Sequence, residues 1–399
     1  MDAPLNASQR LAPTLSLEAA AYTRWDALIV GAGPAGAIAA HEMARRGASV
    51  LLVDQAEFPR GKVCGGCVNL AGLRLLASVG LGGLVAACGA QPLRQIRLIA
   101  RRRQATVNLP GGVALSRERL DAALIDAAIR QGAQFLPGTK AVSHHLGHEA
   151  RVTRLAQGQQ HAAVTARVVL AADGLRGRLA EQDAEMRHRI APRSRIGVGA
   201  LLPRAPSWLP PGTILMACSG QGYVGSVRLE ANRCGIAAAV DPQFIRAVGG
   251  PRAALNHLLK DTDLPPLDEA PDACWQGTPL LSRQRPRVSA ERFLIVGDAA
   301  SYVEPFTGEG IAWALASGIA AAPLACEAAR RWDAAMARHW DRRYGRLIHR
   351  RQRLCRVIAS GLRHPRLTRL VIGWLARAPR LADPVLRLLN ADLPALASS

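Results

Sequence analysis

The first clear pattern in the chain is a short apolar run, Trp25 to Val30, that stops at Gly31-Ala-Gly33-Pro-Ala-Gly36 and passes at once into an Ala-rich stretch. It reads as a buried strand, a tight turn and a helix over Ala37 to Arg46, with Gly47 as the stop. A second apolar run, Ala48 to Val53, ends in Asp54 and closes a β-α-β unit. Helical spacing returns over Leu70 to Ser78. It returns again after the capping residue Ser116, where Arg117, Leu120, Asp121, Leu124 and Ile125 share one repeat that ends near Gly132. Alternation across 95–115 and short runs across 134–157 predict strands. Residues 162–174 form a buried strand ending in Asp173-Gly174, and Arg292 to Val296 form another ending in Gly297-Asp298. Between them lies a Pro-rich stretch with strand-like pieces at 213–218, 222–229 and 234–240. From Gly308 onward the pattern is helical, with breaks expected near Pro323, Pro365, Pro379 and Pro384.

These elements predict an α/β fold with α+β character. A Rossmann-like domain is gathered from 25–94, 116–184 and 291–325, and a sheet-bearing substrate domain from 95–115 and 185–290. A polar leader, 1–24, precedes them and a basic helical segment, 326–399, follows. At 399 residues the chain exceeds one hydrophobic core, which agrees with two joined domains.

The turn at 31–36 carries specific chemistry. Gly31 allows the sharp exit from the strand, and Gly33, without a Cβ, lets backbone approach a pyrophosphate. Gly36 lets the helix lie against the sheet, with Pro34 and Ala35 in its first turn. Asp54 stands roughly 20 residues past the glycines, where an acid binds ribose hydroxyls. Strand, glycines, helix and acid together point to a dinucleotide.

Charge adds a second theme. The net charge is +21, nearly all of it arginine. Aromatic residues are scarce and no basic run is interleaved with them, which argues against nucleic acid. The excess concentrates late: sixteen arginines stand against four acids between Glu327 and Arg387, interleaved with Leu362, Leu367, Leu370, Val371, Trp374 and Leu375. Such helices either lie on an anionic membrane or pack on the core with a solvated outer face. The eight cysteines have no framework spacing, no secretory signal is evident, and no apolar run looks long enough to span a bilayer. A cytoplasmic protein is expected, either soluble or peripheral on the inner face of the membrane. His144-His145-x-x-His148 reads as surface histidines rather than a metal site.

Three separated segments then agree: Gly31–Gly36 with Asp54, Asp173-Gly174, and Gly297-Asp298 followed by Pro305-Phe-Thr-Gly308-Glu-Gly310-Ile311. Together they resemble the FAD-binding signature of the p-hydroxybenzoate hydroxylase-like superfamily. Pro59-Arg60-x-Lys62-x-Cys64-Gly-Gly and the 305–311 motif resemble its geranylgeranyl reductase branch. The resemblance implies FAD across both domains, with Asp298 on the ribityl chain, Arg117 on the phosphate side, and Asp173-Gly174 lining the cofactor and supporting NAD(P)H use. Arg60 and Lys62 would contact FAD or NAD(P)H. Gly308, Gly310 and Ile311 open a helix whose amides and dipole suit the negative charge of reduced flavin, and Pro305 fixes the entry turn. Cys64 lies near the flavin by this resemblance; as Cys64-x-x-Cys67 it is either a redox or gating thiol or a packed one.

The chemistry expected first is an NAD(P)H-dependent monooxygenase that hydroxylates or epoxidises a lipophilic small molecule of isoprenoid, quinone or polyketide type. The alternative is a geranylgeranyl-type C=C reductase; against it, that branch usually shows Y-x-W-x-F-P, and the nearest stretch here, Tyr223 to Glu230, lacks both the Trp and the Pro. A halogenase lacks its W-x-W-x-I-P. A non-catalytic electron-transfer flavoprotein is the reading from another class.

Overall fold

The computed structural model describes residues 10–267, 274–304 and 306–391. Pro305 and residues 1–9 and 392–399, all named above, lie outside the described residues.

Two large sheets carry the chain. The first is built on parallel pairings of short strands buried on both faces, which is why they read as unbroken apolar runs. Arg24–Val30 runs between Gln160–Ala171 and Val50–Val53, Gln134–Leu136 pairs beyond Val50–Val53, and Phe293–Ile295 beyond Gln160–Ala171. An antiparallel meander, Thr139–Leu146 and Arg151–Gln157, folds back on the long strand. Helix Pro34–Ala44 follows the first strand and is buried at every position.

The second sheet has seven strands, in the order Gln276–Leu280, Ile196–Leu202, Cys234–Val240, Gly222–Arg228, Thr213–Ser219, Gln95–Ala100, Arg103–Asn108. Its pairings are antiparallel except where Thr213–Ser219 meets Gln95–Ala100. Alternation along the strands separates its faces. Leu215, Val224 and Ile236 point to a core shared with Leu255, Leu258 and Leu259 of helix Pro251–Lys260. Leu98, Met216 and Tyr223 point the other way, toward Ile358, Leu362 and Ile372 of the C-terminal helices.

Four sequence expectations are corrected. The segment 10–24 is no loose leader: Leu11, Leu17 and Ala20 are buried, the Leu11 N–H donates to the Phe58 carbonyl, and Leu17–Tyr22 is a helix capped by Ser16. Pro323 does not break its helix, which runs Gly310–Arg330. An interior proline costs about 3 kcal/mol, and burial of nearly the whole helix offsets it. That 21-residue helix is also long and apolar enough to cross a bilayer, against the expectation that no run approached this length. Its most apolar window is 89% buried within the protein, which marks a core helix. Finally, of the three histidines expected at the surface, His145 and His148 are exposed but His144 is half-buried. It stacks on Phe293 at 4.6 Å, and its Nδ1 meets Arg151 at 2.7 Å. Burial and Arg151 push its pKa down to about 4.

The other prolines do mark boundaries. Pro365 begins helix Pro365–Arg377, Pro379 begins a single 3₁₀ turn, Pro379–Ala382, and Pro384 lies in the first turn of Asp383–Asn390. A proline at these positions lacks only an N–H that the helix would leave unpaired.

Candidate active site

The first parallel strand ends at a turn built by contact. Gly31 has φ +105°, and a Cβ there would lie 2.3 Å from the Ala172 carbonyl oxygen. A Cβ on Gly36 would lie 1.8 Å from the Gly31 oxygen, so helix and strand touch through these two glycines. Gly33 differs. Its Cβ would meet only guanidinium ends, Arg117 at 3.6 Å and Arg60 at 3.8 Å. Gly33 is also the N-cap of helix Pro34–Ala44 and offers no side chain to the orphan amides. A helix start left open to cations is a place for an anion.

Arg60 and Arg117 are held there by Asp121. Arg117 donates from Nε and Nη2 to the two Asp121 oxygens, at 2.8 Å each, and Arg60 lies 3.5 Å from the same carboxylate. Asp121 is fully buried, and Ser116 caps their helix by accepting from the Arg119 N–H. In the sequence Asp121 stands out only as part of the helical repeat, and its i,i+4 spacing from Arg117 is the signal of this pairing. Asp54 braces the turn from below, accepting from the Ala32 N–H at 2.8 Å and the Ala56 N–H at 2.9 Å.

Beside this anion site opens a cavity of 540 Å³, within the usual range for small-molecule sites. Gly33, Pro34, Ala35, Lys62, Cys64, Arg117, Gly174, Asp298, Gly308, Gly310 and Ile311 all line it. One wall therefore collects cofactor candidates from residues 33 to 311. Gly31, Gly36, Asp54, Arg60, Asp173 and Gly297 do not line it. Gly297, at φ +62° with its amide donating to Ser317 Oγ, sets the turn that presents Asp298. Asp173 turns inward: one oxygen accepts from the Leu179 N–H at 3.0 Å, and its neighbour Gly174 forms the lining instead.

Lys62 and Asp298 are charged groups on a mostly apolar wall. Burial, then Arg117, lowers the Lys62 pKa, while burial raises that of Asp298 against the pull of Lys62 and Arg117. Among the described residues neither has an ion pair within 4 Å. The cations Arg60, Lys62 and Arg117 around an open helix start fit a pyrophosphate, and Asp298 fits a polyol chain. The glycine-rich start of helix Gly310–Arg330 adds a second set of free amides. These residues fit FAD.

Cys64 and Cys67 both line the cavity and are free thiols. Cys64 Sγ accepts from the Gly66 N–H at 3.4 Å, and burial pushes the Cys67 thiol up to about 12. Behind the second helix start, Glu309 is buried 3.5 Å from Arg351, which also donates to the carbonyls of Leu389 and Ala391. Burial pushes the Glu309 pKa up to about 7 despite Arg351. Neither Glu309 nor Arg351 was singled out from sequence, because only the fold brings them together.

The rest of the cavity is apolar. Ile96, Leu98, Ile214 and Met216 come from the second sheet, Phe306 from the loop before Gly308, and Leu362, Ile372 and Leu375 from the C-terminal helices. Among the described residues no cluster of metal-ligating side chains occurs.

Comparison with known proteins agrees with this geometry. Residues 24–322 match the FAD binding domain family. The menaquinone reductase of Mycobacterium tuberculosis is 30% identical over 80% of this chain and 81% of its own length. Digeranylgeranylglycerophospholipid reductase 3 of Methanosphaera stadtmanae is 25% identical over 77% of this chain and 79% of its own. Among solved structures, the flavin-dependent brominase Bmp2 superposes with TM-score 0.78 at 18% identity, over 92% of this chain and 94% of that one. The halogenase PltM, solved with phloroglucinol and FAD, superposes with TM-score 0.73 at 17% identity, over 92% of this chain and 85% of its own. At such identities these two show the fold. The chain belongs to the FAD-dependent oxidoreductases of the p-hydroxybenzoate hydroxylase-like superfamily, in the branch related to geranylgeranyl reductases.

Proposed function

We propose that this flavoprotein reduces a carbon–carbon double bond in an isoprenoid chain, such as the side chain of a prenylated quinone or lipid. The observation that carries the reading is the cavity, which joins a cofactor wall rich in glycine and cations to an apolar compartment. Relatives across most of the chain are named as reductases of menaquinone and of digeranylgeranylglycerophospholipid, and they favour reduction over the hydroxylation expected first from sequence.

Arg60, Lys62 and Arg117 would hold the diphosphate of FAD, with Asp121 fixing both guanidinium groups. Asp298 would hold the ribityl hydroxyls, and the amides at Gly308, Gly310 and Ile311 would stabilise negative charge on the reduced flavin. Bound FAD supplies two-electron chemistry. Ile96, Leu98, Met216 and Phe306 exclude water and align an apolar chain. The electrons come from NAD(P)H or another donor.

The test is anaerobic. FAD-loaded protein is reduced chemically and mixed with an unsaturated archaeal-type lipid, which carries no quinone ring to take the electrons. Reoxidation of the flavin without oxygen supports the proposal. A flavin that stays reduced until air enters, and then consumes oxygen in step with substrate, supports the monooxygenase reading.

A further inference from the structure

Eight of the twelve exposed large apolar side chains among the described residues fall between Val357 and Leu388. They lie on three successive C-terminal elements, Arg350–Gly361, Pro365–Arg377 and the run from Pro379 to Asn390. Trp374 is 55% exposed and Leu381 60%. An exposed, contiguous apolar face is the mark of a docking site.

Two observations say what covers it. The first is charge. Ten arginines stand between Arg350 and Asn390 against one acid, Asp383. Arg366 and Arg380 are exposed beside the apolar face and have no ion pair among the described residues. A second copy of the chain would bring the same positive charge to the contact, whereas an anionic bilayer complements it. The second is continuity. Leu367, Val371, Leu381 and Val385 are exposed and also line the cavity. The apolar face is therefore the mouth of the cavity, between helix Pro365–Arg377 and helix Asp383–Asn390.

We infer that these helices dock on an anionic lipid surface with Leu370, Trp374 and Leu388 inserted, so that an isoprenoid chain passes from the bilayer into the cavity without crossing water. The inference rests on the proposed substrate class only for what enters; docking itself is measured without turnover.

The experiment is co-sedimentation of the FAD-loaded full chain with vesicles of phosphatidylcholine alone or mixed with phosphatidylglycerol. Wild type should pellet with the anionic vesicles and be released by moderate salt. The combined variant L370E/W374E/L388E, altered outside the cavity lining, should lose vesicle binding on the order of tenfold or more while keeping its FAD and melting temperature. In R366Q/R369Q/R380Q, preference for anionic vesicles should fall by about fivefold for each charge removed. Wild type that ignores anionic vesicles overturns the inference. So does L370E/W374E/L388E binding like wild type, or a wild-type dimer that this variant dissociates without any vesicle binding. A chain that pellets with vesicles but reduces no double bond sinks only the proposed reaction. One that turns over detergent-dispersed substrate but never pellets sinks only the docking.

Discussion

Arg117 and Asp121 lie one helical turn apart and meet side by side, Nε to Oδ1 and Nη2 to Oδ2, at 2.8 Å each. The pair faces Gly33, where a missing Cβ leaves the start of helix Pro34–Ala44 open. Asp121 thereby holds a buried guanidinium beside that open helix start, where the proposed function puts an FAD phosphate, and Arg60 shares the same carboxylate.

Removing one partner is therefore expected to cost more than a surface ion pair. Arg117→Ala should lower stability by about 3–5 kcal/mol, as breaking a buried pair does, and weaken FAD binding. Arg117→Lys should recover only part of the affinity, since an ammonium cannot match the carboxylate in two bonds. Denaturant unfolding and FAD titration followed by flavin fluorescence measure both.

Two glycines of the turn should separate fold from cofactor. Gly36→Ala places a methyl within 1.8 Å of the Gly31 oxygen and should prevent stable folding. Gly33→Ala meets only movable guanidinium ends at 3.6 and 3.8 Å, so the fold should survive while FAD affinity falls. Circular dichroism beside FAD titration distinguishes them. Equal loss of fold in both would remove Gly33 from the cofactor site.

Much of this was legible in sequence. The helix Leu70–Ser78 and the strands Thr213–Ser219, Gly222–Arg228 and Cys234–Val240 stand within a residue of expectation, because each follows one clear period. Ser116 caps as expected. Many of the motif residues also converge on one wall from positions 33 to 311: Gly33, Arg117 and Gly310 at helix starts, Gly174 and Asp298 just past strands, and Lys62 and Cys64 in the loop before Cys67–Asn69. What failed depended on tertiary burial. Leu11, Leu17 and Ala20 are spaced among polar residues, so nothing local shows that they pack. Pro323 breaks an isolated helix and not a buried one. The apolar half of the cavity joins Leu98, Met216 and Ile372, and no local pattern links them.

Glu309 gives a pH signature. Its pKa is raised to about 7 in the fold, so between its usual 4.5 and that value the folded protein holds a proton the unfolded chain has lost. Its contribution to stability is therefore full below the unfolded pKa and declines as pH rises toward 7. His144, lowered to about 4, works oppositely, and stability rises with pH as the unfolded imidazole loses its proton. The difference between wild type and Glu309→Gln isolates the first term. Urea midpoints across this range should show wild type losing stability relative to the variant as pH increases.

Cys64 borders the cavity and its Sγ accepts from the Gly66 amide, a bond that a serine oxygen can also accept. Cys64→Ser is expected to leave FAD content and turnover unchanged. A collapse of turnover with FAD retained would assign the thiol a part in the chemistry.

Filling the apolar compartment should discriminate by chain length. Leu98→Trp narrows the wall opposite Ile372, both of which line the cavity. KM should rise for long isoprenoid chains and much less for short ones, measured as substrate depletion at constant FAD loading.

The most direct test of the central claim is the mass of the product. FAD-loaded protein, an electron donor and a prenylated quinone are incubated without oxygen and the lipid is recovered for mass spectrometry. With the ring reoxidised to the quinone before weighing, so that its own reduction adds no mass, reduction of the chain predicts a gain of about 2 Da for each double bond consumed, diminished for long chains when Leu98 is replaced by tryptophan. An unchanged lipid under these conditions, joined by a gain of about 16 Da only when air is admitted, would contradict the account.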